Sequence, residues 1–228
     1  MARQLPLSLP LREALGREDF LVAPANALAV RAIDDWPGWP NGKLALIGPA
    51  GAGKTHLAHV WAGEVQAEVV AAPTLHPDML EGLAAQKRVV VEDADTVAGL
   101  PARERALFHL HNMVQAAQGQ MLLTARTAPN RWALTLPDLA SRMQAITTAR
   151  LHPPDDALLS AVLIKLFNDR QITVSPALIR YLVARMERSF DAARSLVATL
   201  DARALAERRP VTRTLAAEVL DSGTADTR

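Results

Sequence analysis

Cysteine is absent from the 228 residues, and aromatic residues are sparse: four Trp, four Phe and a single Tyr. The missing cysteine excludes disulfides and thiolate metal sites and makes a reducing cytoplasm the expected setting. Neither sign of charge is in excess, with 25 basic and 24 acidic residues. A dedicated nucleic-acid binder usually shows a marked basic surplus, so that class is disfavoured, although a local basic face is compatible with the total. No apolar run reaches the roughly 18 residues needed to span a bilayer, so no membrane association is expected. Near the start, Pro6 and Pro10 interrupt the apolar stretch and no clear small-residue cleavage site comes after it, which argues against a signal peptide. Internal repeats and low-complexity tracts are also missing. The expectation is a cytoplasmic globular chain, with half its residues apolar and available for a core.

Short apolar runs alternate with amphipathic stretches through the first two-thirds of the chain. Strand candidates are "KLALIG" (43–48), "AEVVAA" (67–72), "RVVVED" (88–93), "QMLLTA" (120–125) and "AITTARL" (145–151). They are continuously apolar rather than alternating, as strands covered on both faces should be. Helical patterns lie between them at about 54–65, 76–85 and 102–117. This βαβ succession predicts an α/β fold with a parallel sheet flanked by helices.

After "LHPPDD" (151–156) only helical patterns remain. Pro153 and Pro154 make a stiff break, and Asp155 or Asp156 can cap the next helix. Apolar residues then recur at helical spacing as Leu158, Leu159, Val162, Leu163 and Leu166; as Leu178, Leu182, Val183 and Met186; and as Leu196, Val197, Leu200 and Leu205. The expected organisation is an extended segment 1–16, an α/β base 17–152 and a helical lid 153–228.

"LALIGPAGAGKTHLAHVWA" contains G-x-x-x-x-G-K-T between a predicted strand and a predicted helix. Gly48, Gly51 and Gly53 let the backbone curl, so that N–H groups along Gly48, Pro49, Ala50, Gly51, Ala52 and Gly53 can face phosphate oxygens. The helix start adds its positive dipole end. Lys54 brings a compact charge to the β- and γ-phosphates, Thr55 offers a hydroxyl to Mg²⁺, and His56, directly after, is assigned to nucleotide binding with them. A Gly-Ala-rich turn of no function would not need this complete motif in this place. A nucleotide, ATP or ADP, with Mg²⁺ is therefore the expected ligand.

"RVVVEDAD" reads as a Walker B strand. Glu92 and Asp93 are consecutive and leave a strand on opposite faces, so they cannot share one task. Glu92 is assigned to the metal and Asp93 to activation of the attacking water; the reverse order, or a role for Asp95, stays open.

The base-and-lid plan, "GPAGAGKTHL" and "EDFLVAPANALA" (18–29) together resemble the AAA+ domain of the bacterial replication initiator family DnaA, over roughly 17–222. The resemblance implies further roles. "MLLTART" is similar to the sensor 1 strand, which gives Thr124 reach toward the γ-phosphate or the water; Arg126 stands where the family pattern has an acidic residue. "DLASRM" resembles the box carrying the arginine finger, which makes Arg142 a finger acting in trans on a neighbour's γ-phosphate. "SFDAARSLVATLD" resembles the sensor 2 helix, with Arg194 facing the phosphates. A lone arginine on a helix is ordinarily a solvated face, so these two roles rest on the resemblance.

Two DNA-handling parts of the initiators have no counterpart in the sequence: a C-terminal helix-turn-helix domain, and an extra helical insertion where "PTLHPDMLEGLAAQK" has length for one helix. Direct sequence-specific DNA binding is accordingly not expected. The remaining architecture is similar to the Hda-like regulators of this family. These join a short N-terminal clamp-binding peptide to an AAA+ domain and, with the sliding clamp (β subunit) of the polymerase, promote hydrolysis of ATP bound to DnaA. The resemblance implies DnaA and the clamp as partners, with self-association open. It also implies slow or absent turnover of the chain's own ATP, nucleotide serving mainly to set the base–lid angle.

The opening "MARQLPLSLPL" fits that reading. Clamp peptides take the forms Q-x-x-L-x-[F/L] and Q-L-x-L-[F/P]; Gln4, Leu7 and Leu9 fit the first, while Gln4, Leu5 and Leu7 begin the second. Prolines pre-extend the segment, leucines can fill an apolar groove and the Gln amide can fix register. An untidy terminus is the plain alternative. At the level of function, the other reading is a DnaC-type helicase loader engaging helicase and single-stranded DNA, which leaves the Gln-Leu segment unused. A small-molecule nucleotide kinase is disfavoured by the all-helical C-terminal region.

The remaining singular residues have plain readings. His109 and His111 lack metal-ligand spacing and are expected on a helix surface, and Trp36 and Trp39 are expected in a packed loop beside the nucleotide.

Overall fold

All five apolar runs form strands in the computed structural model, which describes residues 21–223. The segment expected to bind the clamp, with Gln4, Leu5, Leu7 and Leu9, lies outside the described residues. The strands are β1 (Lys43–Ile47), β2 (Glu68–Ala71), β3 (Arg88–Glu92), β4 (Gln120–Ala125) and β5 (Thr147–Arg150). They pair in parallel in the order β2-β3-β4-β1-β5. The helices among them are α1 (Ala27–Asp34), α2 (Lys54–Val65), α3 (Leu80–Ala85), α4 (Pro101–Ala116) and α5 (Pro137–Gln144). Between β2 and β3 there are two 3₁₀ turns and only the six-residue α3.

Burial separates the strands into two kinds. Every residue of β1 is buried, and the middles of β3 and β4 are too, because helices cover both faces. On one face Leu57 and Trp61 of α2 pack on Leu44, Leu46, Val90 and Leu122. On the other Leu107 and Leu110 of α4 pack on Val89, Val91, Met121 and Leu123. The outer strands β2 and β5 are largely exposed, so the expectation of cover on both faces holds for the inner three alone.

Among the described residues, four helices come after the Pro153–Pro154 break: α6 (Asp156–Asp169), α7 (Pro176–Val183), α8 (Phe190–Glu207) and α9 (Arg213–Gly223). Their starts are written in the sequence. The side chains of Asp155, Ser175 and Ser189 accept the N–H groups of Leu158, Leu178 and Ala192, each satisfying one orphan donor. Leu159, Leu163, Phe167, Leu182, Val197, Leu200 and Leu215 meet in a separate core. Leu205 is 73% exposed, because at 100° per residue it leaves the face carrying Leu196, Val197 and Leu200.

Strand register fixes where chemistry can occur. Leu46 is level with Thr124 and Ile47 with Ala125, while Val91 is level with Leu123. The chain after β1, the end of β3 and Thr124 therefore share the carboxyl edge of a parallel sheet, the place where such sheets bind ligands. The Trp36–Trp39 loop lies at the opposite edge, not beside the P-loop. Trp39 is buried, its ring centroid 5.0 Å from that of Trp61 and its Nε1–H donating to the Ala32 carbonyl at 2.7 Å. The Arg88 guanidinium, at the start of β3, lies over Trp36.

Candidate nucleotide-binding site

The loop from Gly48 to Gly53 is anchored at both ends. Gly48 donates its N–H to the Ala125 carbonyl at 3.1 Å, and a Cβ on Gly48 would stand 2.5 Å from the Leu151 carbonyl oxygen. Gly51 and Gly53 have φ of +67° and +91°, the left-handed region that favours glycine. Lys54, 8% exposed, folds back so that its ammonium donates to the Pro49 carbonyl at 2.9 Å across the mouth of the loop. Burial lowers the Lys54 pKa; Asp93, Asp95 and Asp191 oppose this and Arg126 adds to it. Thr55 is exposed at the start of α2.

Three more elements converge on this loop. Asp93 sits just past β3 with φ of +50°, and its N–H donates to the buried hydroxyl oxygen of Thr124 at 3.0 Å. The Asp95 carboxylate accepts the Arg126 N–H at 3.0 Å, so the loop after β4 is tied to the loop after β3. Arg126, the departure from the family pattern, thus meets an aspartate through its backbone. Glu92 lies with one oxygen 3.6 Å from Nε2 of His59 on α2. Its other oxygen, Oε1, and Oδ1 of Asp95 are buried without a hydrogen-bond partner. Buried orphan acceptors of this kind suit a hydrated cation. Among the described residues no group of three or more His, Asp or Glu side chains could hold a metal alone, so Mg²⁺ here would need phosphate oxygens as further ligands.

The fourth element comes from the C-terminal helices. Phe190 donates its N–H to the Gly51 carbonyl at 2.9 Å, and Ser189 lies so close that a Cβ on Gly51 would meet its Cβ at 2.2 Å. The start of α8 therefore rests on the P-loop. Arg194 is one turn further along and half-exposed, its guanidinium held by Asp191 at 2.7 Å.

Arg142 is elsewhere. It is exposed on α5, and after burial its charge is the second influence lowering the ammonium pKa of Lys43, the first residue of β1. The P-loop leaves the other end of that strand, about 13 Å away for a strand of this length. Arg142 thus belongs to the amino edge of the sheet, remote from the chain's own phosphate loop. His111 is buried beside the same group, not on the helix surface, while His109 is exposed. Burial pushes the His111 imidazole down to about 4, with Lys43 and Arg142 acting in the same direction and a hydrogen bond to Asn112 opposing them.

The entry to α5, the helix that carries Arg142, is held by Glu104, a residue without a sequence signal. Its fully buried carboxylate accepts the N–H groups of Gly99 (2.9 Å), Thr135 (2.9 Å) and Leu136 (2.8 Å), and the Thr135 hydroxyl at 2.9 Å. Burial alone would raise its pKa, but these bonds prevail and hold it below the ordinary value. Glu104 so anchors the entry to α5. His59, Ser189 and Phe190 likewise carry no signal in the sequence.

Sheet order, the phosphate loop on its carboxyl edge and the helices docked on that loop define an AAA+ P-loop NTPase fold. Domain III of the DnaA replication initiation protein of Thermotoga maritima superposes with a TM-score of 0.80, at 19% identity over 94% of this chain and 98% of that one. AMPPCP-bound DnaA of Aquifex aeolicus superposes at 0.67, with 16% identity over 81% of this chain and 64% of the other. In sequence the chain is 24% identical over 234 residues to the chromosomal replication initiator protein DnaA of Thermomicrobium roseum, covering 91% of this chain. It spans about half the length of that relative (50%). No family model matches the chain. Sequence likeness and fold agree: the chain has the AAA+ P-loop fold and is similar in sequence to DnaA.

Proposed function

We propose that the protein is a cytoplasmic, adenine-nucleotide-binding regulator of replication initiation that docks on the sliding clamp and stimulates hydrolysis of ATP bound to DnaA. The observation that carries this reading is that the phosphate loop and Arg142 lie at opposite edges of one sheet. A complete phosphate loop occupies the carboxyl edge of the sheet, while Arg142 is exposed at the other edge, away from that loop and accessible to a nucleotide held by another molecule. The relation to DnaA supplies a partner whose own AAA+ surface such a face can meet, and the AMPPCP-bound neighbour supports adenine nucleotide as the ligand.

In this reading base 17–152 and lid 153–228 close on nucleotide between them. The Gly48–Gly53 backbone and Lys54 hold the phosphates once the ammonium leaves the Pro49 carbonyl. Thr55 and Glu92 would hold Mg²⁺, which when bound screens phosphate charge. Asp93, its backbone fixed by Thr124, orients water. Arg194 reads the phosphates from α8, whose start already rests on Gly51. Gln4, Leu5, Leu7 and Leu9 form the clamp peptide. A pull-down with the sliding clamp tests the docking: the full chain is retained, and deletion of residues 4–9 abolishes retention. Undiminished binding by the deletion contradicts the clamp assignment.

A further inference from the structure

Thr55 and His59 are four residues apart on α2 and so share one face of it. That face looks at the end of β3. Val90 packs into the α2-side core, and by strand alternation Glu92 leaves β3 on the same side. There one carboxylate oxygen lies 3.6 Å from His59 Nε2, just beyond a direct hydrogen bond, while the other is buried and has no partner. The imidazole is one-third exposed and the carboxylate less so, at 18%.

A glutamate in this position has one more rotatable bond than an aspartate, and a longer arm loses more entropy when it is fixed for a single task. We infer that His59 is a positioning residue: by engaging one oxygen of Glu92, it holds the second oxygen toward the hydration shell of a Mg²⁺ ion bound with nucleotide next to Thr55. The inference rests on the reading of the loop as a Mg²⁺-nucleotide site and adds a residue to it. His59 touches neither nucleotide nor metal; it acts through Glu92, as outer partners of metal ligands do. The plainer alternative is a staple between α2 and β3, which would change folding but not the response to Mg²⁺.

The test is titration of the full chain with a fluorescent ADP analogue, in excess Mg²⁺ and in EDTA, with thermal melts as a control. The ratio of the two affinities is the readout. The wild type should bind more tightly with Mg²⁺. His59→Ala should reduce that gain about tenfold while leaving affinity in EDTA and the melting temperature nearly unchanged. His59→Gln, which restores a donor at a similar reach, should recover most of it. Glu92→Gln should lose the gain alone, and adding His59→Ala to it should cost nothing further. An unaltered gain in His59→Ala, or equal losses with and without Mg²⁺, overturns the positioning role while the nucleotide site stands. Absence of wild-type binding in both conditions overturns the nucleotide reading and this inference with it.

Discussion

The N–H of Phe190 donates to the carbonyl of Gly51, so the first turn of the longest C-terminal helix is bonded to the phosphate loop itself. Gly51 is also at φ +67°, and a Cβ there would overlap Ser189. Gly51→Ala should therefore incur a left-handed backbone cost of about 1–2 kcal/mol and push α8 off the loop. The expected outcome is weakened binding of a fluorescent ADP analogue together with faster proteolysis near Pro153–Pro154. Unchanged binding and protection would show that the contact does not couple the two parts.

Lys54 spans the loop to reach the Pro49 carbonyl, which places its ammonium at the mouth. A charge-assisted contact from this ammonium to a bound phosphate contributes about 1.5–3 kcal/mol, so Lys54→Ala should lower nucleotide affinity about 10- to 100-fold. Its melting temperature without nucleotide should be little changed, because losing the bond to the Pro49 carbonyl is offset by no longer burying an ammonium. Calorimetric titration and a thermal melt measure both.

Glu104 is a buried carboxylate that accepts three backbone N–H groups and one hydroxyl. Glu104→Ala leaves those donors unsatisfied and should destabilise the protein by about 3 kcal/mol, read as a fall in Tm of about 10 °C. Because its folded pKa is depressed, its contribution is present above the ordinary carboxylate range and is lost as pH falls through the folded value. The entry to α5 should loosen with it.

His111 gives a second pH signature. With a folded pKa of about 4 against an ordinary 6.5, the folded state prefers the neutral ring. Stability should be constant above pH 6.5 and decline as pH falls toward 4, by at most about 3 kcal/mol. Denaturant unfolding at a series of pH values would show this slope, and His111→Gln should flatten it.

The parallel sheet was legible because continuous apolar runs, set between helical patterns, have few other solutions, and the phosphate loop because its glycines and lysine have one spacing. The rest depends on contacts that periodicity does not encode. A spacing of 3.6 residues tells which face of α4 is buried but not that Glu104 would find three N–H groups there, or that His111 would be enclosed beside Lys43. The Trp36–Trp39 loop directly precedes β1 in sequence, yet a strand's length carries it to the far edge of the sheet. His59 and Glu92 are ordinary residues on separate elements until α2 packs on β3. The exposure of β2 and β5 comes from strand order, which the sequence pattern left unstated.

Hydrolysis of ATP bound to DnaA, with this protein and the sliding clamp loaded on DNA, is the most direct test of a finger acting in trans. Wild-type protein should accelerate the loss of bound ATP, and Arg142→Ala should reduce that acceleration at least about 100-fold while still binding nucleotide and clamp. No acceleration by the wild type, or full acceleration by Arg142→Ala, would contradict it.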